Sequence, residues 1–191
     1  LAETLFTAGQ PVVVSAGGTA FFDRVGERFN ATSFGAPVVK VLRSGCYLTH
    51  DSIAYSAAFE RIVSQTSLKL PNGRLEAALE VWAHVQSRPE PGRTILTMGK
   101  RDVSFDAGMP VPVRWFRPSQ MQRPEAMPEG HKVVGLNDQH CHLETPAESP
   151  LRPGDMVAFG IGHPCTTFDK WQMLLLVDEV YTVTSALKTF F

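Results

Sequence analysis

The sequence predicts an α/β segment over residues 1–70, followed by a mainly β unit over residues 71–191. Two observations favour this division. Before residue 70, an apolar run, a turn and a helical stretch follow one another twice, which is typical of βα units in a parallel sheet. After the Pro-Asn-Gly turn at 71–73, short apolar stretches alternate with Pro and Gly turns and helical periodicity is scarce, which favours β structure.

Each predicted βα unit has its turn at the carboxyl end of a strand. The first unit is a strand over residues 11–15, a glycine turn over 16–19 and a helix over 20–29, and the second is a strand over 38–42, a loop over 43–47 and a helix over 53–63. Asp51 is expected to cap the second helix, because carboxylates accept hydrogen bonds from the free amides of a first turn.

The β unit is expected to contain several short strands joined by turns. The apolar stretches that predict them are residues 75–88, 94–98, 133–136, 156–161 and 174–177. A Pro-rich segment over 110–128, with five prolines, is expected to form a loop, since proline removes a backbone donor from a strand ladder.

Composition excludes several classes of protein. Of the 191 residues, 43% are hydrophobic, and 18 Lys and Arg face 19 Asp and Glu, so no basic surplus offers a surface to nucleic acid or to an anionic membrane. No apolar run has the length of a spanning helix. Three scattered cysteines and no visible export signal predict reduced thiols in the cytoplasm rather than a disulfide framework.

Two strand ends carry candidate phosphate-binding turns. Ser15, Gly17, Gly18 and Thr19 lie between a strand and a helix, where backbone amides bind phosphate oxygens and hydroxyls add donors; an ordinary βα turn is the alternative. Gly45, Cys46 and Tyr47 follow the next strand, and neighbouring parallel strand ends can share one ligand. Tyr47 can equally be a core aromatic residue.

His163 and Cys165 are candidate metal ligands. Residues two apart in an extended chain point to one face, and Pro164 between them is expected to prevent a helix. Nitrogen and sulfur donors suit zinc, and two protein ligands would leave positions for water and substrate. The alternative is a loop histidine beside a small buried hydrophobic residue.

Two other positions remain open from the residues alone. If residues 139–142 are extended, His140 and His142 share a face and can bind metal, line a cleft, or support a ligand by hydrogen bonds. Asp106 at a strand end can orient a basic group, or it can close an Asx turn.

In their order along the chain, these motifs resemble the D-serine dehydratase and D-threonine aldolase family. The matching stretches are residues 15–19, 42–47, 106–108, 137–140 and 163–166. The resemblance implies an alanine-racemase-type fold, in which residues 1–70 are the last βα units of a (β/α)8 barrel and residues 71–191 a C-terminal β domain. It also implies pyridoxal 5′-phosphate and Zn²⁺ as cofactors and a homodimer acting on a D-amino acid.

The resemblance assigns roles to the candidate residues. The phosphate group would be bound by Ser15, Gly17, Gly18, Thr19, Gly45, Cys46 and Tyr47. His163 and Cys165 match the zinc pair, and the aldolase branch typically has Asp where this chain has Cys165, which favours a dehydratase. His140 falls beside the site as a candidate acid or base, although Gln139 stands where the family has Glu.

The family's cofactor-binding lysine lies near the start of the barrel, and the six lysines here all follow the glycine turn. The chain is therefore expected to be a fragment of an enzyme that eliminates the β-hydroxyl of a D-3-hydroxy amino acid, with zinc activating that hydroxyl. Retro-aldol cleavage, a non-catalytic interaction or dimerisation module, and a structural zinc domain are the alternatives.

Overall fold

A computed structural model describes residues 10–35, 37–45, 48–66 and 75–190 of the chain, and only the backbone of Thr19. The two predicted strand–turn–helix units are confirmed within it. They are formed by β1 (Val12–Gly17), α1 (Phe22–Ala31), β2 (Val38–Arg43) and α2 (Ala54–Gln65), with a 3-10 turn (Thr19–Phe21) between β1 and α1. Among the described residues, no helix has the length and apolar character needed to cross a membrane.

The strands β1 and β2 are parallel and end level with each other. Their register runs from Val12 opposite Val38 to Gly17 opposite Arg43, so the two following turns lie side by side. Arg61 of α2 donates to the Ala20 carbonyl oxygen of the 3-10 turn at 2.7 Å, and its Nη1 atom lies 3.4 Å from Oδ2 of Asp23 in α1. The α/β segment therefore presents its two turns at one edge.

Residues 80–160 form a seven-stranded, antiparallel sheet with spatial order β6-β5-β9-β3-β4-β8-β7. Its strands are β3 (Glu80–Glu90), β4 (Arg93–Leu96), β5 (Val111–Phe116), β6 (Glu125–Ala126), β7 (Lys132–Leu136), β8 (Cys141–Glu144) and β9 (Met156–Gly160). The sheet curls, since β5 near one edge contacts β7 at the other. A curled sheet buries one face without a second sheet.

The main hydrophobic core fills the inside of this curled sheet. Its largest fully buried side chains include Leu96, Leu143 and Phe159, all at 0% exposure. Burying a side chain of this size stabilises the fold by about 1.5–3 kcal/mol. The short strands expected in the β unit are therefore present and enclose a core of buried residues.

The prediction that residues 110–128 form only a loop is wrong, because β5 and β6 lie within them. Pro112 is accommodated in β5, where the pairing with β9 shifts register between Pro112 and Arg114. The register passes from the Pro112–Phe159 pair to the Arg114–Ala158 pair, so the extra residue is Val113. Proline occurs in sheets at such bulges, where the ladder is locally disrupted.

The chain ends in an antiparallel hairpin of β10 (Met173–Val177) and β11 (Val183–Lys188). Apolar residues of this hairpin are exposed, among them Met173 at 58%, Leu175 at 56% and Val183 at 54%. The hairpin is linked to the large sheet by the Tyr181 hydroxyl, which lies 2.9 Å from Oε2 of Glu80.

Contacts around Ser52 and Ile53 join the α/β segment to the β unit. The Ser52 amide donates to the Ile161 carbonyl oxygen at 2.8 Å. A Cβ atom on Gly162 would lie 2.8 Å from Cδ1 of Ile53, and one on Gly108 would lie 3.4 Å from the same atom. Two glycines thus make room for Ile53, and residue 163 is held beside the segment that carries the turns.

Candidate active site

His163 lies in the loop after β9, and its ring contacts a carboxylate from another loop. The Nδ1 atom of His163 is 2.6 Å from Oδ2 of Asp106, which precedes β5. An ionised carboxylate only accepts hydrogen bonds, so Nδ1 carries a proton, and in the neutral imidazole this leaves the lone pair on Nε2. Donation from His163 lowers the pKa of Asp106 below its ordinary value. The Nε2 atom is therefore the ring nitrogen that remains for a metal.

Cys165 presents its thiol towards the α/β segment. Its side chain is exposed, and Sγ lies 3.6 Å from the position that a Cβ atom would take on Gly45. Gly45 follows β2, so the thiol meets the carboxyl end of a parallel strand. Strand ends of this kind are where parallel α/β folds place ligands.

The expectation that residues 163–165 are extended is wrong. Pro164 has helical angles, φ −56° and ψ −36°, and Cys165 begins the short helix α3 (Cys165–Phe168). Proline is compatible with a helix start, because the amide proton that it lacks would have no acceptor within the helix. The placement of His163 and Cys165 is thus set by their separate contacts with Asp106 and Gly45, and not by strand alternation.

The donors at this position suit zinc. They are an imidazole Nε2 atom from His163 and an exposed thiol from Cys165, a nitrogen and sulfur set. Within the described ranges, no group of three or more His, Cys, Asp or Glu side chains is arranged to hold a metal ion. The chemistry of these two donors fits zinc, and metal binding by His163 and Cys165 stays a prediction.

Gly17 and Gly18 bring β1 close to β2 at the strand ends. A Cβ on Gly17 would lie 3.2 Å from the Arg43 carbonyl oxygen, and the Gly18 amide donates to that oxygen at 3.4 Å. These glycines therefore have a packing role. The 3-10 turn (Thr19–Phe21) follows directly, and its Phe21 amide donates to the Gly18 carbonyl oxygen at 2.9 Å.

Of the other residues predicted to bind phosphate, one lies in a strand rather than in the turn, and three lie wholly or partly outside the described residues. Ser15 lies inside β1 with its side chain exposed, because the strand continues two residues past the predicted end. Cys46, Tyr47 and the side chain of Thr19 lie outside the described residues.

His140 lies in the turn between β7 and β8, where its carbonyl oxygen accepts the Asn137 amide at 2.8 Å. His142 belongs to β8, and its Nε2 atom is hydrogen-bonded to Oδ1 of Asn137. The two histidines are therefore not two positions of one strand face, as a shared metal site on an extended segment would require.

A loop over residues 99–106 connects the His140 turn with α3. At one end, the Lys100 amide donates to the Asn137 carbonyl oxygen at 2.9 Å. At the other, the Ser104 amide donates to Oγ1 of Thr167 at 3.0 Å, and both residues are buried. The charged turn within this loop is closed by Asp102, which accepts the Gly99 amide at 2.8 Å.

Thr166 was not singled out by the sequence, yet it touches the His163 pair. Its Oγ1 atom lies 3.2 Å from Oδ1 of Asp106 and 3.3 Å from the His163 carbonyl oxygen. For Asp106, the structure thus supports the interpretation in which the carboxylate orients a basic group. The sequence signal for Thr166 was its place in the matching stretch 163–166.

Comparison with solved structures supports the predicted fold. A D-threonine aldolase from Filomicrobium marinum is 21% identical over 92% of this chain and 40% of its own, with a TM-score of 0.62. A D-threo-3-hydroxyaspartate dehydratase from Delftia sp. HT23 is 22% identical over 98% and 47%, with a TM-score of 0.58. An ala racemase-like protein from Idiomarina loihiensis is 15% identical over 92% and 43%, with a TM-score of 0.57.

The chain thus spans less than half the length of the solved structures that it matches. A search of curated proteins finds no match. The family model described as "Putative serine dehydratase domain" matches residues 78–177, a stretch that contains Asp106, His140, His163 and Cys165. Because this match covers more than half of the 191 residues, the chain belongs to the serine dehydratase domain family, which confirms the resemblance to D-serine dehydratases and D-threonine aldolases.

Proposed function

We propose that the chain is the C-terminal part of a pyridoxal phosphate- and zinc-dependent D-amino-acid dehydratase. In this proposal, residues 1–70 are the last βα units of a (β/α)8 barrel and residues 71–191 are the β domain that carries the metal site. The enzyme would remove the α-proton and β-hydroxyl of a D-3-hydroxy amino acid as water. A second water would then release ammonia and leave an oxo acid.

The observation that carries this proposal is the position of Cys165 beside Gly45. It brings one candidate metal ligand to the strand end proposed to bind the cofactor. Similar structures support the pairing, since they include a histidine-to-alanine variant of a D-threo-3-hydroxyaspartate dehydratase and a cysteine-to-alanine variant in the metal-free form. The replaced residues are two apart in that enzyme, which is the spacing of His163 and Cys165.

The two groups, when bound, would supply an electron sink for α-proton removal and a Lewis acid for the leaving hydroxyl. His163 would hold zinc through Nε2, and Cys165 would hold it as the thiolate. His140 would move a proton at the edge of the site. Backbone amides and hydroxyls would bind the phosphate group, from Ser15, Gly17, Gly18, Thr19, Gly45, Cys46 and Tyr47.

The lysine that would carry the cofactor is expected to come from the rest of the protein. Among the described lysines, Lys40 donates to the Phe29 carbonyl oxygen at 2.5 Å, and the Lys100 Nζ atom lies 5.7 Å from the centre of the Phe105 ring. The contacts given for these two ammonium groups are with Phe29 and Phe105, and not with Gly45 at the end of β2. The 191-residue chain alone is therefore expected to be inactive.

The test combines product analysis with metal analysis of the full-length protein. D-Serine should yield pyruvate and ammonia, and the protein should hold about one zinc ion per chain. His163→Ala and Cys165→Ala should lose both zinc and activity, whereas Cys141→Ala, which removes a buried thiol from β8, should keep its zinc. Equal zinc in all four proteins would refute the metal assignment.

A D-threonine aldolase is the second enzymatic candidate, and the similarity to the Filomicrobium marinum enzyme favours it. His163 and Cys165 would then hold the metal that binds the substrate hydroxyl, while a base removes the hydroxyl proton and the Cα–Cβ bond breaks. D-Threonine would be converted to glycine and acetaldehyde, without release of ammonia. Quantifying glycine and ammonia from D-threonine therefore separates the two reactions.

An interaction module is favoured by the exposed apolar hairpin β10–β11. Met173, Leu175 and Val183 are each more than half exposed, and such a surface is typical of a contact with another chain. We take a second copy as the partner, which would make the enzyme a homodimer. Light scattering of Leu175→Glu beside the unaltered protein tests this, since the variant should be monomeric.

A further inference from the structure

We propose that Asp106 is a positioning residue, whose carboxylate holds the His163 imidazole in the tautomer and orientation that zinc requires. This inference rests on the proposed function. The 2.6 Å contact joins Oδ2 of Asp106 to Nδ1 of His163. A proton on Nδ1 leaves Nε2 as the donor atom for the metal. A carboxylate behind a ligating histidine also makes the imidazole more basic.

Both oxygens of Asp106 have a partner, so the carboxylate itself has a defined orientation. Oδ1 lies 3.2 Å from the Thr166 hydroxyl, and Oδ2 receives the His163 proton. Thr166 and Cys165 are consecutive residues of α3. The carboxylate therefore links the two candidate ligands through one short helix.

The loop that carries Asp106 is attached to α3, and to the residues that follow α3, by contacts that do not involve the Asp106 carboxylate. The Ser104 amide donates to Thr167 at 3.0 Å, and the Trp171 indole donates to the Asp102 carbonyl oxygen at 2.7 Å. Both contacts remain when the Asp106 side chain is changed. Loss of the carboxylate should therefore alter the histidine without detaching the loop.

Because the Asp106 and His163 side chains are partly exposed, their contact should affect zinc binding more than it affects stability. The side chains of Asp106 and His163 are 53% and 36% exposed, and ion pairs at such positions contribute little to stability. Loss of the carboxylate behind a metal-bound histidine, by contrast, weakens metal binding by about 10–100-fold. Zinc affinity, rather than the melting temperature, should report the change.

The test measures the zinc dissociation constant of the full-length protein by competition with a chromophoric chelator. Asp106→Asn, which keeps an acceptor but loses the charge, should weaken binding about tenfold. Asp106→Ala, which loses both, should weaken it nearer to 100-fold. The control is Asp169→Asn, which makes the same change of charge at an exposed residue that ends α3, and it should bind zinc like the unaltered protein.

Cobalt substitution supplies a readout of ligand geometry. The d–d absorption of Co²⁺ should shift in Asp106→Asn and remain unchanged in Asp169→Asn. An unaltered protein that binds no zinc would overturn the proposed metal site and this inference together. An unaltered protein that binds zinc, with Asp106→Asn and Asp106→Ala binding it equally well, would overturn the role of Asp106 alone.

Discussion

The Sγ atom of Cys165 lies 3.6 Å from the position of a Cβ atom on Gly45, although 120 residues separate them. A Cβ atom at residue 45 would therefore be in van der Waals contact with the thiol. Because glycine has no Cβ atom, that space beside the thiol is open. The relationship joins the carboxyl end of β2 to the start of α3. It depends on the packing of Ile53 against Gly162, two residues before Pro164.

Gly162→Ala should therefore destabilise the contact between the two parts of the chain. The added Cβ would lie 2.8 Å from Cδ1 of Ile53 and 3.1 Å from the Ala107 carbonyl oxygen, and overpacking of this kind costs about 1–3 kcal/mol. Ile53→Val removes Cδ1 and should restore part of the loss in the double variant. Urea unfolding measures the free energy in each case, and a purely additive double variant would contradict the assignment of the clash.

The cysteines at residues 141 and 165 should differ in reactivity. Burial raises the pKa of Cys141 to about 12, so roughly one thiol in 10⁴ is ionised at pH 8, and only the thiolate is alkylated. Cys165 is exposed and should react with iodoacetamide first, as read by peptide mass spectrometry.

Zinc should slow the alkylation of Cys165 in the full-length protein, because a metal-bound sulfur is a poorer nucleophile. His163→Ala should abolish this protection. Alkylation of Cys141 at the rate of Cys165 in the folded protein would contradict the burial of β8.

Asp155 should be essential for stability rather than for chemistry. Its carboxylate, 2% exposed, accepts Nε of Arg117 at 2.8 Å and the Arg152 amide at 2.7 Å. Asp155→Ala removes the carboxylate that Arg117 is seen to pair with and leaves the guanidinium donating to the Pro150 carbonyl oxygen. Removing one partner of a buried ion pair should cost about 3–5 kcal/mol in unfolding free energy. Glu90→Ala breaks the exposed Glu90–Arg93 pair and should leave the melting temperature nearly unchanged.

His50 should make stability depend on pH. Burial lowers its pKa below 6.5, and the nearby charge of Asp51 opposes this only in part; Ser56 Oγ lies 3.4 Å from Nε2. Below pH 6.5 the unfolded chain gains a proton that the folded protein does not, so stability should fall as the pH drops from 6.5 towards the lower, folded-state pKa. Above 6.5 the contribution is constant.

His50→Asn should reduce the change of melting temperature between pH 5 and 7, because asparagine does not titrate. Asparagine is chosen since it tolerates the φ of 53° at this position. The control is His84→Asn, which replaces an exposed histidine and should keep the slope of the unaltered protein. Identical slopes for all three proteins would show that His50 does not titrate differently on unfolding.

Local sequence patterns predicted the elements whose signals are local. The apolar runs and helical spacing before residue 70 predicted β1, α1, β2 and α2 to within about two residues. The N-cap residue of α2 is Ile53 rather than Asp51, but the Asp51 carboxylate does accept an amide of the first turn, that of Tyr55, at 2.8 Å. These features arise from interactions between near neighbours in the chain, so periodicity and capping residues are sufficient to find them.

The two wrong predictions both concern prolines whose effect depends on distant parts of the structure. Proline at 112 and at 164 argued against a strand and a helix, but a register shift accommodates the first and a helix start accommodates the second. Proline lacks a backbone N–H, and this destabilises the structure only where a carbonyl oxygen would otherwise have accepted a hydrogen bond from it. That partner belongs to another strand or to the turn geometry, which the local pattern does not contain.

The sequence by itself determined the two kinds of folding unit, the family and the residue types of the candidate site, because these depend on short patterns and their order. Only the tertiary structure decided that Asp106 contacts His163, 57 residues away, and that Cys165 faces Gly45. Such contacts depend on how loops from different strands pack around glycines and Ile53. Steric fit between distant segments has no counterpart in the spacing of residues along the chain.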